Sequence, residues 1–300
     1  MKKKIICIQT YFGHWAEHSG YHQYLKYLTG DFDIEHNRIE PGESALPEDP
    51  GMRALSESLH SKRALLPATI NDILNEIYLV PKIKTLLKEH ERVVVHFMDG
   101  EYGFNWFGEL VKKYSIDRSR IRIVATYHQP PSILKGLVKS TERFSELDRI
   151  LTVGSNQAKF FSPELAGKIR FIRHGADTDF FKPATGTKEG SDRIKCVTVG
   201  HWLRDFKVLK KVIEKSGDGV SFSIVTDSAL VSDFKEDPRV TIRTGISDDE
   251  LLNLYNSSDM GLMPLTDTTA NNAIMEMMAT GLPIVTTEVG AIRDYVDDAA

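Results

Sequence analysis

Two cysteines in 300 residues, Cys7 and Cys196, are too few for a disulfide or metal framework. Each sits inside an apolar run that reads as a buried strand, and a reducing cytoplasm is the expected setting. No apolar run approaches the roughly 18 residues that a membrane helix needs. The basic start, Met1-Lys-Lys-Lys, leads into an apolar stretch that breaks off at Gln9, too short for the core of a secretory leader. Positive charge is also in short supply. Against 42 acidic side chains stand 38 basic ones, for a net charge of -4, without the excess that binding a phosphate backbone requires. Nucleic acid is therefore not an expected partner, while peripheral contact with a membrane stays open. Neither H-E-x-x-H nor a paired-cysteine spacing occurs, so no protein-bound metal or other cofactor is expected. G-x-x-x-x-G-K-[ST] and G-x-S-x-G are missing too, which disfavours a P-loop ATPase and an elbow-type serine hydrolase.

What the chain does have is alternation. Its length exceeds what a single core usually fills, so two α/β domains are expected. Short β-branched runs at 4–9, 92–96, 121–126, 149–153 and 169–172 alternate with amphipathic stretches, the pattern of a parallel, doubly wound sheet. The runs "RVVVHF" and "IRIVAT" are apolar on both alternating faces, as helices on both sides of a sheet demand. The polar stretch 184–191 is the expected linker between a domain at 1–183 and another at 192–300. Strands are then expected at 194–199, 220–225, 240–243, 261–263 and 284–287, with helices starting near Asp205, Ser247 and Asn272. Ser247 and Glu250 form a capping-box pattern. Each half opens on a strand followed by Gly-His-Trp, at 13–15 and 200–202. The final "AIRDYV" is helix-like and leaves the second sheet short of elements, so a C-terminal truncation is expected.

The segment "NNAIMEMMATGLPIVTTEVG" at 271–290 carries the most chemistry. Asn271 or Asn272 can cap a helix with Ile274, Met277 and Met278 inward, Gly281 can end it, and Pro283 can lead into a strand. Glu276 is its only charge. The unpaired N–H groups of a helix start favour phosphate, and a carboxylate one turn further in can accept hydrogen bonds from ribose hydroxyls. The bland alternative is an ordinary exposed glutamate. In the first half, "HSGYH" at 18–22 precedes an expected helix with Tyr24, Leu25 and Leu28 on one face. There Ser19 and Gly20 can bring backbone N–H groups close to a phosphate or an acceptor sugar. His96, Asp99 and Glu101 follow a strand's carboxyl end, where open sheets bind ligands, and are expected to line the acceptor side.

The 271–290 segment resembles the donor-binding signature of family-4 GT-B glycosyltransferases, "LEAMA-x-G-x-P-V-V-A-T". There a glutamate holds the ribose of a nucleotide sugar, and Glu276 takes its place. Eight positions earlier, Thr268 stands where the family usually has a second glutamate, with Asp267 adjacent. "IRFIRHGADTDFFKP" at 169–183 is similar to the family's "N-G-V-D-x-x-x-F-x-P" turn, with His174 where asparagine is commoner. Its Asp177 either fixes the turn or meets a ligand. "VTVGHWLRDFK" at 197–207 is similar to the opening of the nucleotide-binding domain, with His201 where arginine is commoner. The resemblance gives Gly200, Arg204 and Lys207 to the donor diphosphate, and a "T-x-H" strand end gives His128 to the sugar.

Spanning 4–300, the resemblance implies a GT-B fold, two Rossmann-like domains facing a cleft, and retaining transfer from a nucleoside-diphosphate sugar. His128, Arg204 and Lys207 would be catalytic, and Gly200, Asn271, Asn272, Glu276 and Thr268 would bind donor. Ser19, Gly20 and His96 would form the acceptor or phosphate loop. The acceptor would be a glycan, a lipid-linked sugar or a small molecule, as in polysaccharide biosynthesis. Acceptor segments such as 40–69 carry no transferable code. The alternatives are a GT-B sugar-nucleotide epimerase or phosphorylase, and a catalytically silent nucleotide-sugar-binding or scaffolding protein.

Overall fold

The computed structural model describes residues 3–10, 17–28, 30, 32–39, 70–138, 141–186 and 190–298. The first Gly-His-Trp, the segment 40–69 and positions 187–189 of the expected linker lie outside the described residues. The chain forms two compact units that divide between Arg173 and His174, and residues 17–24 group with the second. Ser19 and Gly20 therefore accompany Glu276 instead of the first sheet.

The first unit is a parallel sheet of β1 (Lys3–Thr10), β2 (Phe32–Ile39), β3 (Val93–Phe97), β4 (Ile121–Tyr127), β5 (Arg149–Thr152) and β6 (Ile169–Phe171). Their spatial order is β2-β1-β3-β4-β5-β6. The order reverses between β1 and β3, so the carboxyl ends of these two strands flank the switch point where such sheets bind ligands. Around the sheet stand α1 (Ile70–Glu89), α2 (Gly100–Gly103), α3 (Phe107–Lys113) and α4 (Pro131–Leu137). Ile6, Val95, Phe97, Ile123 and Ile150 from the strands pack with Ile77, Ile83, Phe107 and Phe144 in one core. Five strands lie within a residue of the expected bounds. The edge strand β2 was not expected: "FDIEHNRI" carries charges where a central strand carries Val and Ile, which an edge tolerates. Lys4 on β1 pairs with its Asp33 at 3.1 Å.

The second unit orders β7 (Ile194–Val199), β8 (Val220–Val225), β9 (Val240–Arg243), β10 (Met260–Met263) and β11 (Ile284–Thr286) as β11-β10-β7-β8-β9. This is the Rossmann order, reversing between β7 and β10. Period-two alternation sends successive side chains to opposite faces. Val197, Val199 and Met263 join Ile274 and Met277 in one core, while Cys196 and Leu262 join Leu209, Ile213 and Phe222 in another.

Three helices cover the faces: α5 (Phe206–Lys215), α6 (Asp248–Ser257) and α7 (Asn272–Ala279). Their caps are Asp205, whose carboxylate accepts from Val208 N at 2.9 Å, then Ser247 and Asn271. The capping box is formed, with Glu250 Oε2 accepting from Ser247 N at 2.8 Å. Three local features differ from what the sequence pattern predicts. Met278 is 45% exposed and Met275 is buried in its place, because α7 turns Ala273, Ile274 and Met277 to the sheet. "AIRDYV" yields only a 3-10 turn, Ile292–Asp294. The expected helix after Gly20 is a 3-10 segment, Tyr21–Tyr27, with Leu28 exposed.

Candidate functional site

The carboxyl ends of β7 and β10 carry the loops of the second unit's switch point. Gly200 leaves β7 with φ +90, and a Cβ there would stand 2.7 Å from the Arg204 guanidinium. Only glycine meets both conditions. Three residues on, Leu203 holds φ +56, a left-handed conformation costly for a leucine and of the kind concentrated at ligand loops. Cross-links to the β10 exit keep it there: Leu203 O accepts from Thr266 N at 3.0 Å, and Asp205 N donates to Pro264 O at 2.9 Å.

Half-buried Arg204 folds back over this loop. Its Nε donates to Val199 O at 2.8 Å, one terminal nitrogen to Trp202 O at 3.0 Å, and the other to Asn271 Oδ1 at 3.3 Å. Burial draws its pKa down to about 10, opposed by the nearby Tyr255 and Glu276. Three of five donors are thus committed to the loop and the α7 cap, leaving two for a phosphate oxygen. Asn271 Oδ1 also accepts from Ile274 N at 3.4 Å, so one amide joins the cap to the guanidinium. Asn272, half-buried, is the first residue of α7.

Glu276 is 3% exposed, contrary to the bland expectation of a solvated charge. Its Oε1 accepts from the Ser19 hydroxyl at 2.6 Å and its Oε2 from the Tyr255 hydroxyl at 2.9 Å. Burial pushes its pKa up, while these two bonds and Arg204 hold it down. His18, just before Ser19, is fastened to the same unit. His18 N donates to Asp248 Oδ2 at 2.6 Å, its ring meets Asp177 at 3.0 Å, and it stacks on Phe180 at 3.8 Å. Asp177, 1% exposed, also accepts from Asp179 N at 3.2 Å. Asp177 thus fixes its own turn, and its carboxylate also holds the His18 ring. Gly20 follows with φ +108.

Two expected donor residues stand apart. Thr268 is buried with its hydroxyl donated to Thr269 O at 3.0 Å. Lys207 is exposed in the first turn of α5, and no hydrogen bond or ion pair ties it to the others among the described residues. Tyr255, His18 and Asp248 were not singled out in the sequence. Only tertiary packing reveals them, since a tyrosine inside "DDELLNLYNS" has no local signature.

In the first unit, Asp99 Oδ2 accepts from Thr10 N at 2.8 Å across the β1/β3 switch point. Glu101, 4% exposed, accepts on Oε1 from His128 N at 3.0 Å and Gln129 N at 3.2 Å. Its Oε2 is buried without a partner among the described residues. Burial, reinforced by Asp99, pushes its pKa up to about 8. His128 Nε2 donates to Met98 O at 2.8 Å, a carbonyl that fixes the tautomer. His96 shares a hydrogen bond of 2.8 Å with Thr126, and burial pulls its pKa down to about 4. His96, Asp99, Glu101 and His128 thus gather at one end of one sheet.

Residues 201–300 match the family model of glycosyl transferases group 1. No curated protein matches the chain in sequence. Among solved structures, the chain is similar to the catalytic domain of starch synthase IV from Arabidopsis thaliana, bound to ADP and acarbose. The identity is 12% over 99% of this chain and 85% of that one, at TM-score 0.65. Sucrose-phosphate synthase from Thermosynechococcus elongatus is 15% identical over 98% and 83%, at TM-score 0.64. The Anabaena protein HepE, in complex with UDP-glucose, is 13% identical over 98% and 83%, at TM-score 0.58. The fold is GT-B.

Proposed function

We propose that the protein is a glycosyltransferase of the EC 2.4 type, moving a sugar from a nucleoside-diphosphate donor to a carbohydrate or lipid-linked hydroxyl with retention. The observation that carries this reading is the Glu276 carboxylate, buried one turn into α7 with a hydroxyl on each oxygen. It lies within the segment that matches the glycosyl transferases group 1 model. A ribose presents the same chemistry as those hydroxyls. The two uncommitted donors of Arg204, the N–H groups at the start of α7 and exposed Lys207 would meet the diphosphate.

In the reaction, the bond from the anomeric carbon to the phosphate oxygen breaks and the acceptor oxygen bonds that carbon. The acceptor's proton leaves with the nucleoside diphosphate. The protein's share is charge stabilisation of the departing diphosphate by preorganised donors, and the reading needs no protein-bound metal. His96, Asp99, Glu101 and His128 are assigned to the sugar and acceptor side. A cytoplasmic setting, with peripheral membrane contact for a lipid-linked acceptor, accords with the described residues having no helix long and apolar enough to cross a membrane.

One observation favours a second reading, a nucleotide-sugar-binding protein without turnover: Thr268, where the resemblance expects a glutamate, turns its hydroxyl to the neighbouring Thr269 carbonyl. The assignment of Glu276 is tested by calorimetry with UDP, GDP and ADP. Glu276→Ala is expected to weaken the nucleotide that binds by about 10- to 100-fold, the loss of charged hydrogen bonds. Unchanged affinity would refute it.

A further inference from the structure

Tyr255 lies in α6, fully buried among Phe181, Met263 and Met277. A buried phenol hydroxyl needs a partner. Here the partner is Glu276 Oε2, at 2.9 Å. The other oxygen receives the Ser19 hydroxyl at 2.6 Å. These two donors differ in kind. Tyr255 is rooted in a helix and a core, whereas Ser19 is half-buried on a segment ahead of a 3-10 turn. The serine hydroxyl is also the same chemical group as a ribose hydroxyl, and each carboxylate oxygen has lone pairs for more than one donor.

We propose that Tyr255 is a positioning residue for the ribose-binding carboxylate, pinning Oε2 of Glu276 so that Oε1 is presented to a ribonucleotide's hydroxyl. The proposal rests on the reading of Glu276 as the ribose ligand. The groups acting on that carboxylate are Tyr255 and Asp248 from α6, Arg204 from the β7–α5 loop, and Ser19. Burial and Asp248 favour its protonated form, and Tyr255, Ser19 and Arg204 favour the charged one. Tyr255 itself is raised well above the ordinary phenol range and stays a donor. Removing its hydroxyl takes away one of the two hydrogen bonds that favour the carboxylate. The pKa of Glu276 then rises, and affinity for a ribose fades at a higher pH as acid is added.

The test uses Tyr255→Phe in the full chain, titrated with UDP, GDP and ADP from about pH 5 to about pH 9. With the fold retained, the variant is expected to bind roughly tenfold more weakly near neutrality. Its acid limb should move to higher pH by about half a unit or more relative to wild type. The nucleotide's own phosphate titration is common to all variants and cancels in that comparison. Weakening with an unmoved limb would reduce Tyr255 to packing and overturn the proposal, as would unchanged affinity. In Glu276→Gln the phenol has no carboxylate to act on, so Tyr255→Phe added to it should cost no further affinity. A further loss in the double variant would also overturn the positioning role. If Glu276→Gln alone binds as wild type does, or if wild type binds none of the three nucleotides, it is the ribose reading beneath the proposal that fails.

Discussion

Glu101 shows how much one buried side chain can decide. Its carboxyl sits 4% exposed beside Asp99, with a folded pKa of about 8 against an ordinary 4.5. A raised pKa means the folded state keeps the proton. Its contribution to stability is fully present below about pH 4.5 and is lost as pH rises through about 8. His96 runs the other way. Its pKa is depressed to about 4 from 6.5, so its contribution is present above 6.5 and lost as pH falls toward 4. Glu101→Gln keeps an acceptor for the His128 and Gln129 N–H groups and removes the titration. Its Tm should match wild type near pH 5 and exceed it by several degrees near pH 8.5. A difference independent of pH would contradict the assignment. The sequence pointed to His96, Asp99 and Glu101 through their place at a strand end. It held no hint that Glu101 is kept protonated, because that follows from burial by residues distant in sequence.

At the scale of elements, the loop from β10 to α7 is shaped by a glycine far along the chain. A Cβ on Gly290 would stand 2.2 Å from Thr268 O and 2.6 Å from Thr268 N, and its φ is +60. Gly290→Ala must therefore move the backbone that carries Thr268 toward α7. A loss of about 2–4 kcal/mol in unfolding free energy is expected from strain and overpacking, measured by urea denaturation. A loss below about 0.5 kcal/mol would show that the loop is not so constrained. Caps and strands were legible at this scale. Ser247 with Glu250, Asn271 before Ile274 and Gly281 after α7 are local chemistry, readable in order. β2 was not, because an edge strand with Asp33, Glu35 and Arg38 lacks the apolar alternation that marks buried strands. The 3-10 segment Tyr21–Tyr27 misled for a related reason, since its apolar spacing suits a helix but its neighbours set a tighter turn.

For the whole molecule, two parallel sheets with reversed strand orders give two switch points, and chemistry-bearing residues gather at both. One holds His96, Asp99, Glu101 and His128. The other holds Gly200, Arg204, Asn271 and Glu276, joined by Ser19. Alternating strands and helices made this architecture legible from the outset, as did the "NNAIMEMMATGLPIVTTEVG" segment. The grouping of Ser19 with Glu276 was not legible, because it joins positions 257 apart in sequence. Sugar transfer from a nucleotide donor is tested most directly by release of nucleoside diphosphate from UDP-, GDP- and ADP-sugars. One donor class is expected to be consumed by the wild type, with release falling at least about tenfold in Glu276→Ala at subsaturating donor. Binding of nucleotide without consumption of any donor sugar, alone or with carbohydrate acceptors, would contradict it.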